Sequence, residues 1–326
     1  MLTDSFGRKI NYLRLAVIDR CNLRCTYCMP ENGLAWIPGG ELMTTTEMLR
    51  LCRLFTEMGV DKVRITGGEP FMRRDLLPLL ENISRLPGLR ELTLTTNGLL
   101  TEPFIPQMKT LGVRSVNISL DTLDEERFSG ITRRTGLHKV LATIHTLLAH
   151  RINVKINCVV MDGQNTEDIL PLVRLAKKLP VDVRFIEEMP FNGTDEPVSL
   201  KWDFPHILEH IRNHFPDIEK IPDPAYSTSF NYRIPGFTGN IGIIAAHTRS
   251  FCGSCNRLRL TPAGILRTCL YEASGENLKA ELRAGRSDAE LKEIIFRAVR
   301  KKPKDGWEAE KLTPTPVHES MATIGG

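Results

Sequence analysis

Several features are scarce or missing in this 326-residue sequence, and each narrows the choices. No stretch approaches the ~20 consecutive apolar residues of a membrane-spanning helix, so no membrane span is expected. The first fifteen residues carry no apolar signal core, and the expected compartment is the cytoplasm. Charge of one sign is not in excess. The 43 Lys and Arg stand against 39 Asp and Glu, and a net charge of +4 is too small to argue for nucleic acid as a partner. Low apolar content is also absent: at 41% hydrophobic and 25% charged residues, a chain disordered throughout is excluded. The length suits one large α/β domain, or a large domain with a smaller one attached.

Cysteine is plentiful and unevenly placed. Six of eight fall into two tight groups at opposite ends of the chain: Cys21, Cys25 and Cys28, then Cys252, Cys255 and Cys269. In a reducing cytoplasm disulfides are not the expected use, and the grouping points to metal. Cys52, in a helical pattern, and Cys158, in a strand pattern, read as buried small hydrophobes.

The first two-thirds of the chain repeats one theme, a short β-branched run, a turn and an amphipathic helical pattern. Strands are expected at Tyr12–Ile18, Lys62–Thr66, Glu91–Thr95, Ser115–Leu120, Asn153–Val160 and Asp182–Met189. This is the rhythm of βα units on a parallel sheet. Thr44 and Glu47 have capping-box spacing before the apolar face Met48, Leu51, Phe55 and Met58, with Gly59 as the stop. Six units are too few for a closed eight-unit barrel, so an open, partial (β/α)6 TIM-like barrel is preferred over a flat doubly wound sheet. After Phe215 the composition shifts, with Pro216, Pro222, Pro224, Pro235 and Gly236 breaking the rhythm. A boundary near residue 220 is expected, giving a barrel at 1–220 and a smaller α+β region at 221–326. Short strands there include Arg257–Thr261 and Ile265–Leu270, a hairpin about Pro262-Ala263-Gly264. The basic segment Arg297–Lys304 reads as a solvated helix end. The tail Lys311–Gly326 is expected to lack regular structure.

Cys21 to Cys28 has the form C-x3-C-x2-C and follows the first strand, so it sits on the first βα loop, at the catalytic end of a barrel. Structural zinc usually takes four ligands, whereas a 4Fe–4S cluster on three cysteines keeps one iron open. Thr66-Gly67-Gly68-Glu69-Pro70 ends the second strand, and two glycines let a main chain approach a ligand closely. The second group, C-x2-C-x13-C, also offers three thiols, with zinc binding and thiol exchange as alternatives. Arg257 and Arg259 alternate along a strand and share a face. Arg14, Arg64, Lys155 and Arg184 occupy other barrel strands. Several cations aimed at one cavity would be costly unless an anion meets them, and a polyphosphate is the natural partner.

The first cysteine spacing, the aromatic Tyr27 and the Gly-Gly-Glu-Pro run resemble the radical S-adenosylmethionine (SAM) superfamily. The resemblance implies a 4Fe–4S cluster on Cys21, Cys25 and Cys28, whose open iron chelates SAM and whose electron cleaves it to methionine and a 5′-deoxyadenosyl radical. Tyr27, Gly68, Ser119 and Met189 match SAM contacts of that family. Adding C-x2-C-x13-C, the Arg-Leu-Arg after its second cysteine and the Gly325-Gly326 end, the chain resembles the molybdenum cofactor biosynthesis protein A family, the GTP 3′,8-cyclases. That resemblance implies a second 4Fe–4S cluster on Cys252, Cys255 and Cys269 that binds the purine of GTP. Arg14, Arg64, Thr95, Lys155, Arg257, Leu258 and Arg259 match GTP contacts, and Arg184 is added on the triphosphate side. Arg257, Arg259 and the Gly325-Gly326 tail are implied in the cyclisation itself. The implied reaction removes hydrogen from ribose C3′, joins C3′ to guanine C8 and ends in one-electron reduction. The implied partners are a flavodoxin- or ferredoxin-like reductant, a downstream cyclic pyranopterin monophosphate synthase and a second copy of the chain. Two other readings compete: another radical SAM enzyme with an auxiliary cluster and a different substrate, and a zinc-stabilised binding protein without redox chemistry.

Overall fold

Strict alternation of apolar with polar or charged residues builds the central sheet. In β1 (Tyr12–Ala16) Leu13 and Leu15 point to the core, while Tyr12 and Arg14 point the other way. The computed structural model describes residues 1–193, 198–312 and 319–325. After β1 come β2 (Lys62–Thr66), β3 (Glu91–Thr96), β4 (Ser115–Ser119), β5 (Asn153–Val160) and β6 (Val181–Glu187), each parallel to its predecessor. The crossovers carry α1 (Thr45–Glu57), α2 (Leu76–Ser84), α3 (Ile105–Thr110), α4 (Glu125–Thr132), α5 (Leu137–Ala149) and α6 (Ile169–Lys178); α7 (Phe204–His214) follows β6. The Thr44–Glu47 capping box is present, with both reciprocal bonds. The helices bury one stripe each against the apolar sheet face, as Leu51, Phe55, Val140, Ile144, Leu172 and Ile207 do in one continuous core.

The chain beyond residue 220 extends this same sheet at both edges. β7 (Glu219–Lys220), β8 (Phe230–Arg233) and β9 (Asn240–Ile244) add beyond β6, with β9 parallel to it. β10 (Arg257–Leu260) adds in parallel beside β1, followed outward by β11 (Ile265–Arg267) and β12 (Glu276–Asn277). The parallel wall therefore has eight strands rather than the six read from the repeat, because β7 and β8 separate β9 from α7 and only a short 3-10 turn (Cys252–Ser254) separates β9 from β10, so neither strand shows the βα rhythm. Among the described residues the sheet stays open, running from β12 to β7. The expected hairpin is present: β10 and β11 pair antiparallel, and Thr261 N–H donates to Ile265 O.

The last elements are α8 (Leu278–Arg283), α9 (Asp288–Arg300), α10 (Gly306–Lys311) and α11 (Met321–Ile324). Two expectations need correction. The tail is not wholly irregular, since Ser320 caps the single turn of α11. And Lys302, in the segment read as solvated, is only 3% exposed. Among the described residues no helix is long and apolar enough to cross a membrane.

Candidate active site

The polar face of the sheet and the loops at the strands' C-terminal ends enclose a cavity of about 460 Å³. All six clustered cysteines line it and are partly exposed, whereas Cys52 and Cys158 are fully buried. Two groups separated by more than 220 residues of chain thus open on one space.

The first group occupies the loop after β1. Cys28 and Met29 N–H both donate to Cys25 O (3.0 Å each), which curls the loop. Arg24 and Thr26 N–H donate to Thr132 O and Ile131 O at the end of α4, and the Arg133 guanidinium binds Arg24 O and Met29 O. The glycines after β2 serve this loop. Gly68 N–H donates to Ile18 O and Glu69 N–H to Arg20 O (2.8 Å each), and a Cβ on Gly68 would meet Arg20 O at 2.3 Å. Their smallness brings two backbones together, in addition to any approach to a ligand. Glu69 turns inward, accepting from Phe71 N–H, Thr96 Oγ1 and Asn97 N–H, and Asn97 in turn donates to Cys21 Sγ (3.7 Å). Tyr27 Oη donates to Asp121 (3.0 Å). Burial pushes Glu69 and Asp121 up to about 7 and the Cys21 thiol up to about 12.

The second group is assembled from a turn and a hairpin. Cys255 N–H donates to Cys252 O (3.1 Å), and the β10–β11 hairpin returns Cys269 to the same place. Glu272 secures the return by accepting from Thr268 and Cys269 N–H (2.8 Å each). Two buried cations from distant sequence grip the group. Arg8 donates to Cys252 O (3.0 Å), and Lys302 Nζ donates to Arg257 O (3.1 Å) and to Thr268 O. Burial would raise the Cys255 thiol, but Lys302 and then Arg257 bring it down to about 6.

A thiol-only donor set of three, twice over, suits iron–sulfur clusters. Among the described residues no three His, Cys, Asp or Glu are grouped to hold a single metal ion. Cysteines on one cluster bind different irons and stand wider apart than the ligands of one zinc.

The cavity wall is strongly basic. Arg14 pairs in register with Arg64 on one side and Arg259 on the other, and Lys155, Arg184 and Arg257 line the same space. Arg184 Nε and Nη2 and Arg257 Nε are buried without a hydrogen-bond partner among the described residues. Burial, then the neighbouring Arg64 charge, pushes Arg184 down to about 9; burial and then Arg184 lower Lys155. Burial works against ionisation of Tyr12, yet Arg64, Arg14 and Lys62 bring it down to about 8. Such crowding of buried cations is the arrangement of a site built for a polyanion.

Of the residues singled out in the sequence, Tyr27, Gly68, Thr95, Ser119 and Met189 also line the cavity. The Leu258 side chain lies on the opposite strand face, fully buried in the core. Gly325 enters from the tail, and Arg259 Nη1 donates to its carbonyl (2.6 Å). Only glycine fits there, because φ is +78° and any Cβ would stand 2.6 Å from Ala16 Cβ. Gly326 lies outside the described residues. The sequence reading missed Lys62, Lys302, Arg8 and Ser320. Lys62 was findable, two residues before Arg64 on the same strand face. Ser320, whose hydroxyl donates to Cys28 O (2.5 Å), has no local signal.

Residues 15–176 match the family model described as the Radical SAM superfamily, and residues 181–307 that of Molybdenum Cofactor Synthesis C. The chain is 41% identical over 310 residues to the "GTP 3′,8-cyclase" of Clostridium perfringens, covering 93% of each. It is 41% identical to the "GTP 3′,8-cyclase, mitochondrial" of Arabidopsis thaliana, covering 93% of this chain and 78% of that one. It is 45% identical to "Molybdenum cofactor biosynthesis protein 1" of Homo sapiens over 92% of this chain and 48% of that protein, so it spans about half the length of several such relatives. The fold is similar to that of Streptococcus suis SuiB bound to its precursor peptide, with a TM-score of 0.65 at 14% identity, covering 94% of this chain and 68% of that one.

Proposed function

Because the chain belongs to the GTP 3′,8-cyclase family of the radical SAM superfamily, we propose that it converts GTP to 3′,8-cyclo-7,8-dihydro-GTP, the first step of molybdenum cofactor biosynthesis. The observation that carries this reading is the single cavity that both cysteine triads share with the buried arginines. Cys21, Cys25 and Cys28 would hold one 4Fe–4S cluster, and Cys252, Cys255 and Cys269 the other. Bound together, the first cluster and SAM supply hydrogen-atom abstraction, which side chains cannot perform.

The chain's own residues position and shield. Gly68, Ser119, Met189 and Tyr27 would seat SAM beside the first cysteine loop. Arg14, Arg64, Lys155 and Arg184 would meet the triphosphate, each charge-assisted bond also relieving the mutual repulsion of partly or wholly buried cations. Thr95 stands on the same face, and Leu258 is left with only its main chain to offer. Arg257 and Arg259 would lie between triphosphate and purine. Arg259 also holds the Gly325 carbonyl, so Gly325 and Gly326 would close the cavity around the reacting ribose and exclude water.

We assign the radical SAM βα repeat to residues 1–220 and the region of the second cluster and the Gly-Gly tail to 221–326, with β9 and β10 of that region extending the same parallel wall. The finer partners belong to the same proposal: a flavodoxin- or ferredoxin-like reductant, a cyclic pyranopterin monophosphate synthase that takes the product, and a homodimer in the cytoplasm. The test is anaerobic reconstitution with iron and sulfide, reduction, and addition of SAM and GTP. Formation of 5′-deoxyadenosine together with cyclised GTP, read by mass spectrometry, is the expected result. Deoxyadenosine without a GTP product would move the activity to another substrate.

A further inference from the structure

Lys302 is an unusual charge. It is 3% exposed, sits just past the end of α9, and donates to the carbonyls of Arg257 and Thr268. Arg257 is two residues after Cys255, and Thr268 is immediately before Cys269. One ammonium therefore ties together the two strands that carry these thiols. The adjoining residues are used as well: Arg8 binds Pro303 O and Lys304 O (2.6 Å each) with the guanidinium that binds Cys252 O. The segment 302–304 thus links all three cysteines of the second group through two buried cations.

The two cations differ in charge balance. Arg8 is paired with buried Asp4 (2.5 Å), whereas no carboxylate is recorded within ion-pair distance of Lys302 among the described residues. Glu272 faces the same region from the Cys269 side, bound to the backbone N–H groups there, and Arg257 and Arg259 face it from β10. Lys302 thus joins Arg257 and Arg259 as a charge without an ion-pair partner among the described residues, and of the three it acts most strongly on Cys255.

We propose that Lys302 and Arg8 form a brace for the second centre, Arg8 fixing the place of Cys252 and Lys302 both spacing Cys255 from Cys269 and raising the centre's reduction potential. This rests on the reading that Cys252, Cys255 and Cys269 hold an iron–sulfur cluster. Reduction adds one negative charge to a centre already ligated by three thiolates, and a buried cation beside it stabilises the reduced form. Both act as positioning residues through the cysteines.

The test is a redox titration of the reconstituted full-length protein with dithionite as electron donor, followed by electron paramagnetic resonance, together with iron content. Lys302→Met is expected to lower the one-electron reduction constant of the second centre at least about tenfold, or about 59 mV, without moving the first. Lys302→Arg, which keeps the charge, should restore it. An unchanged potential in Lys302→Met, or an equal fall in Lys302→Arg, overturns the electrostatic role. Arg8→Gln should lose iron from the second centre while the first keeps its own; full iron content overturns the grip, and this variant carries the test should Lys302→Met fail to fold. The underlying cluster reading fails separately, if replacing Cys252, Cys255 and Cys269 by Ala leaves the iron content unchanged.

Discussion

The first cysteine group lies within eight consecutive residues of one loop, whereas the second spans eighteen and is completed by a hairpin. The first is held by its neighbours: α4, the glycines after β2 and its own turn. The second depends on Arg8 and Lys302, each far away in sequence. Their surroundings also differ in sign. Buried Glu69 and Asp121 stand near the first group, while Lys302, Arg257 and Arg259 stand near the second. Carboxylates disfavour an added electron and cations favour it. On the proposed function the first centre is therefore expected to be the stronger reductant, and the second the one whose surroundings favour an anionic ligand.

The largest effect that would break this division is loss of one thiol. Cys25→Ala should abolish deoxyadenosine formation and leave the second centre's iron in place. Cys255→Ala should keep deoxyadenosine and abolish the cyclised nucleotide. Equal loss of both products in both variants would mean that the centres do not act separately. Removing Gly325 and Gly326 should spare SAM cleavage and stop cyclisation, because the Gly325 carbonyl is bound by Arg259, which lines the cavity. Wild-type product formation by the truncated protein would refute that.

Arg184→Met sharpens the electrostatic half. It should weaken GTP binding roughly 10- to 100-fold by calorimetry, the worth of one charge-assisted bond. It should also raise the melting temperature of the GTP-free protein, since a half-buried cation crowded by Arg64, with Nε and Nη2 unpaired, is removed. The sign follows from the lowered pKa. Between about 9 and the ordinary arginine value the unfolded chain binds the extra proton, so stability rises with pH there, and at neutral pH the whole cost is present. A lower melting temperature would mean that Arg184 packs as structure.

Gly68→Ala should cost about 1–3 kcal/mol by overpacking against Arg20 O and loosen iron at the first centre alone, seen in denaturant unfolding and iron content. The smallest effect is expected from Ser320→Ala, about 1 kcal/mol or less, for the loss of one helix cap and one bond to Cys28 O. A change in hydrogen exchange confined to residues 319–325 would check it.

Much of this was legible because it is local and periodic. The six strands of the repeat, the capping box at Thr44, the hairpin at Pro262 and both cysteine spacings follow from side-chain alternation, turn chemistry and ligand spacing. Alternation also placed Arg257 and Arg259 on one face, and applied to Leu258 it would have directed that side chain into the core. Whether six cations on five strands would meet was not legible, since that depends on register and on the curvature of a sheet wide enough to enclose about 460 Å³.

The order of amino acids alone thus settled which residue types could ligate metal, which strand faces carry charge, and that the barrel begins as a parallel repeat. Tertiary structure was needed to decide that both cysteine groups open on one cavity and that β9 and β10 flank the repeat as parallel strands. It also decided that Lys302, in a run that reads as a solvated helix end, is buried against the second group. The physical reason is range. Backbone propensity and alternation act over a few residues, whereas the burial of a charge is settled by the elements that close over it, here from the two ends of the chain.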